Sequence, residues 1–205
     1  MGRHDLPPAP VIILPFPQPI PQMLHQRSTL LQSGMESIRV AGLYDAYLDA
    51  VAPAVREEIE QAVAGMWIPI ETAVAHYLAL DGLGLSTESV AKLGRSTFDR
   101  SKGMLLGAAT GLARGAGVTP LTLAPHLQRF WLRGFDGGGI QAVQVGPKEL
   151  RIDIVSSPIF KSAYFRAACC GLATALFELV SQKAYVHVDA GQALGTAVVF
   201  RVQWV

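Results

Sequence analysis

Charge is scarce in this chain. Of its 205 residues only 16% are Asp, Glu, Lys or Arg, whereas 50% are hydrophobic; a usual globular domain carries about 25% charge. That balance excludes a disordered chain, which needs high charge and few apolar residues, and a protein that holds nucleic acid by charge alone. Cysteine is nearly absent. Cys169 and Cys170 are adjacent and alone, so they supply neither a disulfide framework nor a four-ligand zinc site. No apolar run reaches the ~18–20 residues needed to cross a bilayer; residues 103–113 and 167–176 read instead as core helices. A Walker loop, a Gly-x-Ser-x-Gly elbow and a dinucleotide-binding glycine fingerprint are all missing, and with them any candidate catalytic constellation. Residues 11–14 are too short for the apolar part of a signal peptide, and Leu6 stands where N-myristoylation prefers a hydroxyl. A cytoplasmic protein that is not an enzyme is the expectation.

What is present suits one compact domain with a real core. Prolines crowd the start: seven fall between residues 6 and 22, among Val11, Ile12, Ile13, Leu14, Phe16 and Ile20. Each proline fixes φ and removes a donor, so neither a helix nor a central strand is expected there. Residues 1–35 are read as an extended arm that docks on its own domain or on a second subunit, with Phe16 and Ile20 as candidate interface residues. Residues 36–205 are read as a single domain.

That domain divides by periodicity. Residues 36–133 predict helices: one carries Leu43, Tyr47, Leu48 and Val51 on a face, and one runs from Pro53 to about Met66 with Glu57, Glu58 and Glu60. A third runs from Pro69 to Gly82, the next is capped by Ser86, and a last one lies between Pro120 and Gly134. Beyond the loop at residues 136–139 the period changes to two. Leu150, Ile152 and Ile154 alternate with Arg151 and Asp153, and Val198, Phe200, Val202 and Trp204 share a face. Strands at 141–145, 150–155, 184–189 and 197–204, with a helix at about 159–181, give β-β-α-β-β. The predicted class is α+β: an N-terminal helical layer packed on a small antiparallel sheet.

Gly103, Gly107, Gly111 and Gly115 recur every four residues. On a helix they form a bare ridge that drifts ~40° per step, and they oppose helix formation by roughly 3–4 kcal/mol together. Such a ridge lets another backbone or a flat ligand come close, so the four are candidate interface or ligand residues. Lys92, Arg95 and Lys102 form a basic stripe on the preceding segment; without interleaved aromatics it reads as a solvated or salt-bridged face rather than a nucleic-acid site. The +1 net charge hides a −7 stretch at residues 36–90 and a +6 stretch at 91–133, which face each other within the fold or pair with another subunit. The two cysteines read as inert core thiols. His187 and Asp189 share a strand face but lack a third ligand, so no metal site is predicted. The run Asp136–Gly139 reads as a helix-to-strand connection, or as a backbone nest for an anion.

Two stretches carry a family resemblance. One is Ser162–Ala163–Tyr164–Phe165–Arg166, Cys170–Gly171–Leu172, Ala175–Leu176, Ala184–Tyr185–Val186 and the closing Phe200–Arg201–Val202–Gln203–Trp204. The other runs from Trp67–Ile68–Pro69 to Leu93–Gly94–Arg95. Together they resemble a myxobacterial paralogous family without an assigned function, and the related 4-vinyl reductase domains. Those domains resemble the ligand-binding fold of haem–nitric-oxide sensor domains and TRAPP vesicle-tethering subunits. The resemblance implies helices packed on a small antiparallel sheet, dimerisation through helices, and a binding or sensory role. Two departures argue against cysteine-bound metal and haem: residues 191–195 and the strand after them lack the further cysteines of the 4-vinyl reductase domains, and no Tyr-x-Ser-x-Arg run occurs.

The expected function is therefore a non-enzymatic interaction or sensory module. It would form a homodimer and bind a protein partner through a helical surface and the Pro-rich arm, with no cofactor, nucleic acid or membrane span. The alternative is a sensor for a small hydrophobic or tetrapyrrole-like ligand held between helices and sheet.

Overall fold

The structure, a computed structural model, describes residues 9–106, 117–189 and 195–205. Its centre is a five-stranded antiparallel sheet of β1 (Val11–Leu14), β4 (Gly139–Gly146), β5 (Glu149–Val155), β6 (Ala184–Val188) and β7 (Val198–Trp204), in the order β1-β4-β5-β7-β6. Helix α8 (Ala163–Phe177) links β5 to β6. The predicted β-β-α-β-β half is present. Its inner face is the one the alternation marks: Leu150, Ile152, Ile154, Val198, Phe200, Val202 and Trp204 are all buried. Against that face lie α1 (Ser28–Val40), α4 (Ile70–Asp81), α5 (Thr87–Leu106), α7 (Leu127–Gly134) and α8. The shorter α2 (Tyr44–Ala50), α3 (Pro53–Gln61) and α6 (Pro120–Leu123) complete the helices among the described residues, and β2 (His25–Arg27) pairs with β3 (Trp67–Pro69) in a small second sheet.

The N-terminal arm is part of this fold. β1 pairs with β4 at the sheet edge, Val11 opposite Gln144, where proline neighbours do least harm to a ladder. Phe16 and Ile20 lie against Gly139 of their own chain: a Cβ there would meet Ile20 Cγ2 at 3.0 Å and Phe16 Cδ1 at 3.3 Å. The boundary expected at residue 35 falls inside α1, whose Leu30, Leu31, Met35 and Ile38 are buried together. The division at that residue is corrected accordingly: proline density ends near residue 22, and the helical period starts only a few residues later.

Three helix ends also differ from expectation, each for a hydrogen-bonding reason. α3 stops at Gln61 because the carbonyls beyond it serve α1: Ser28 N–H donates to Met66 O (2.9 Å), the Ser28 hydroxyl to Val63 O (2.9 Å) and the Gln32 amide to Ala62 O (2.7 Å). α8 starts at Ala163, after a 3-10 turn at Pro158–Lys161. Ser162 caps it by accepting from Phe165 N–H (3.0 Å), and Asp81, at the end of α4, accepts from the N–H groups of Tyr164 (2.5 Å) and Ala163 (3.2 Å). It closes at Phe177, with Glu178 N–H returning to Thr174 O (3.0 Å). Ser86 caps α5 as predicted, accepting from Ser89 N–H at 3.2 Å.

The connection at residues 136–139 is the seat of the arm rather than an anion nest. Gly138 N–H donates to Pro21 O (2.9 Å) and Asp136 N–H to His25 O (3.3 Å), so two of its donors are spent within the chain. The Asp136 carboxylate accepts from Leu24 N–H and His25 N–H, both at 2.8 Å, and meets His25 Nδ1 at 2.5 Å. Gly137 is required by proximity: a Cβ would lie 2.2 Å from Gln22 O.

Candidate ligand cavity

Between the helices and the sheet lies a partly open cavity of about 130 Å³. Its floor is the inner sheet face at Ile140, Ile152, Ile154 and Phe200; its walls come from α1, α4, α5, α7 and α8. No charged side chain lines it among the described residues. A volume of this size costs roughly 3 kcal/mol in forfeited packing, at about 24 cal/mol per Å³.

Two glycines shape the wall. A Cβ on Gly94 of α5 would stand 1.9 Å from Ala168 O, and one on Gly171 of α8 would stand 1.8 Å from Ala91 O. The two helices thus cross with their backbones in contact, which only residues lacking a side chain permit. Close backbone approach was expected at the ridge of four glycines. Of that ridge only Gly103 is described; it is exposed, and a Cβ on it would meet nothing within 4 Å. Gly107, Gly111 and Gly115 lie outside the described residues.

Polar groups in the wall are few and mostly spoken for. His76 on α4 is 1% exposed and its Nδ1 lies 2.8 Å from the hydroxyl of Tyr47, itself fully buried. Burial pushes the His76 imidazole down from 6.5 to about 3, so the ring is neutral at ordinary pH. Burial likewise raises the phenols of Tyr47, Tyr77 and Tyr164. The Tyr77 hydroxyl accepts from the buried Gln26 amide at 2.7 Å, and Trp131 Nε1–H donates to Gly137 O at 2.8 Å. Cys169 also lines the cavity; burial first, and the neighbouring Cys170 second, raise its thiol, while burial pushes Cys170 up to about 11. Both stay protonated thiols.

The other sequence candidates lie outside the cavity. Lys92 pairs with Glu88 at 2.8 Å on the surface of α5, and Arg95 reaches Glu178 at 2.5 Å. Lys102 is exposed. His187 is exposed on β6, and Asp189 pairs with Arg201 at 3.1 Å. No group of three potential ligands for a metal ion occurs among the described residues, and no helix there is long and apolar enough to cross a membrane. The residues of the cavity wall are not among the sequence candidates; for His76 the available signal is a histidine among apolar residues on α4, beside the Tyr47 face of α2.

No family model matches the chain, and no curated protein does. Solved structures do. A Cs H-NOX mutant carrying 4-cyano-L-phenylalanine at site 5 is 13% identical, with 87% of this chain and 96% of that one aligned at a TM-score of 0.59. The protein chain of a study of haem redox potential modulated through protein-induced porphyrin distortion is 14% identical over 87% and 99%, at 0.55. An oxygen-binding H-NOX domain related to soluble guanylate cyclases, in its oxygen complex, is 11% identical over 87% and 94%, at 0.54. This chain has the H-NOX fold. At such identities the likeness is one of architecture, and it agrees with the α+β class and the haem–nitric-oxide-sensor-like topology that the C-terminal pattern implied.

Proposed function

We propose that this protein is a non-enzymatic sensor module that binds a small, neutral, apolar molecule in the cavity between its helices and its sheet. The observation that carries this is the wall: about 130 Å³ of space lined without one charge among the described residues. An engineered apolar cavity of about 150 Å³ takes up benzene or xenon, so a ligand of single-ring size suits this one. The H-NOX fold supports a sensory role.

Haem, named for one of the structures of like fold, does not suit these residues. Its two carboxylates require cations or donors at the rim, and among the described residues the wall offers no Lys or Arg. Tetrapyrrole binding is therefore set aside in favour of the smaller ligand.

The test is a thermal melt of the full chain with toluene and with xenon under pressure, beside an absorbance spectrum of protein purified from its own host. Both neutral probes should raise the Tm through selective binding to the folded state, and the spectrum should lack a tetrapyrrole band. Unchanged melts with both probes, or a stoichiometric tetrapyrrole band, would overturn the reading. A homodimer formed across Gly103 with the basic stripe of Lys92, Arg95 and Lys102 at its edge is a second reading. Gly103 faces solvent with nothing within 4 Å of a Cβ there, which lends that reading no support, and light scattering showing a monomer at micromolar concentration would remove it.

A further inference from the structure

His76 gives the cavity a direction. Its ring is buried between Tyr47 and Tyr77, edge-on to both at centroid distances of 5.2 and 4.9 Å, and it forms part of the cavity wall. Nδ1 is held by the Tyr47 hydroxyl; Nε2 has no protein partner among the described residues. Which nitrogen carries the proton follows from Tyr47. That phenol is fully buried, and His76 Nδ1 is its one hydrogen-bond partner among the described residues. If Nδ1 donated, the Tyr47 O–H would be buried without an acceptor, the costlier arrangement. Tyr47 therefore donates to Nδ1, and the proton of the neutral ring sits on Nε2. With no protein partner among the described residues, this N–H is left to what the chamber holds.

We propose that the ligand is an uncharged aromatic or alicyclic carbonyl compound of single-ring size, whose carbonyl oxygen accepts from His76 Nε2–H while its apolar body rests on the sheet floor and the aromatic wall. This rests on the cavity reading above and narrows its ligand class. A carboxylate is disfavoured because no cation lines the wall among the described residues, and a pure hydrocarbon leaves Nε2–H unpaired. Tyr47 does not touch the ligand; it is a positioning residue that fixes the tautomer. A donor in a largely apolar chamber discriminates by the missing acceptor rather than by size, as in other sites that hydrogen-bond their substrate.

The experiment compares acetophenone with α-methylstyrene, which replaces C=O by C=CH₂ at nearly the same shape, and uses the full chain. Acetophenone should bind about tenfold more tightly, the effect of one well-placed hydrogen bond. In His76→Phe the preference should vanish while α-methylstyrene still binds. Imidazole ¹⁵N shifts of the labelled protein should identify His76 as protonated at Nε2, with that N–H moving when acetophenone is added. Equal affinities in the unaltered protein, an Nδ1–H tautomer, or a preference retained in His76→Phe would overturn the proposal. Binding of both probes without preference sinks this inference and leaves the cavity reading standing; binding of neither sinks both. Should His76→Phe fail to fold, the affinity ratio and the tautomer in the unaltered chain still decide.

Discussion

Gly94 of α5 faces Ala168 of α8 across a backbone contact so tight that a single methyl group on the glycine would stand 1.9 Å from the alanine carbonyl oxygen. The reciprocal contact, Gly171 on Ala91 O at 1.8 Å, makes the crossing two-sided. Neither clash is with the movable end of a side chain, so the helices themselves must separate to admit a methyl. Gly94→Ala and Gly171→Ala should each destabilise the protein by about 2–3 kcal/mol, the cost of overpacking a close interface, even though Ala is the better helix former by about 1 kcal/mol. Urea melts read this directly. The exposed Gly103→Ala, by contrast, should be neutral or stabilising in the same assay, since a Cβ there meets nothing within 4 Å.

That contrast shows what the sequence made legible. Strands β5 and β7 could be assigned face by face, because a half-buried strand must alternate and Leu150–Ile152–Ile154 and Val198–Phe200–Val202 do so. Glycine spacing was less informative. Four regularly placed glycines drew attention to residues 103–115, whereas the crossing rests on Gly94 and Gly171, single glycines in two distant helices whose pairing only the tertiary fold reveals. Helix α1 was obscured for another reason: the proline-rich segment before it suggested that the whole start lay outside the domain, yet Leu30, Leu31, Met35 and Ile38 carry a helical period of their own. The cavity's place between helices and sheet was anticipated by the alternative reading, but its lining could not be read. Such a volume is a deficit of packing among residues from five helices and a sheet, and no local pattern encodes it.

The junction of α4 with α8 turns on Asp81. Its carboxylate takes the N–H groups of Ala163 and Tyr164 and the hydroxyl of Ser162 (3.0 Å), so it caps a helix 82 residues further along the chain. Removing it leaves those donors to compete for water and withdraws an anion from the positive end of the helix. Asp81→Ala should cost about 1–2 kcal/mol, and Asp81→Asn, which keeps an acceptor, less. Calorimetry on the two variants separates the hydrogen bond from the charge.

His76 makes stability depend on pH in the mildly acid range. Burial lowers the folded imidazole from 6.5 to about 3, so the unfolded chain binds the proton first. The contribution is fully present above the unfolded value and is lost as pH falls from about 6.5 toward 3. His76→Phe should flatten the unfolding free energy over that window relative to the unaltered protein. If the two profiles run parallel between about pH 6.5 and 4, the ring is not held neutral by burial.

Asp136 titrates lower. Burial alone would raise its carboxyl, but hydrogen bonds from the His25 ring and from the His25 and Leu24 N–H groups outweigh that and hold it below the usual carboxylate range. Its contribution is present above the ordinary carboxylate value and is lost as pH falls through the lowered one. The lost contacts are those that seat the arm, so limited proteolysis in acid below that lowered value should cut residues 15–24 before the core. Asp136→Asn should bring that cleavage to neutral pH. An arm equally resistant in both proteins would mean that β1 and the packing of Phe16 and Ile20 on Gly139 suffice to hold it.

Cavity filling distinguishes a functional chamber from a packing defect. Ala173 lies on α8 and lines the space, and a leucine there adds three carbons to a wall that has room for them. Where a cavity is only a defect, occupying it stabilises the fold by about 1 kcal/mol and changes nothing else. Where it is a ligand site, Ala173→Leu should give the same gain in unfolding free energy and abolish the Tm rise produced by toluene, since probe and side chain compete for one volume. A variant that is stabilised yet still responds to toluene would place the probe elsewhere; one that loses stability would mean that the walls are too rigid to accept the extra carbons. The decisive pair is gain in stability with loss of response, because no surface site for an apolar probe would couple the two.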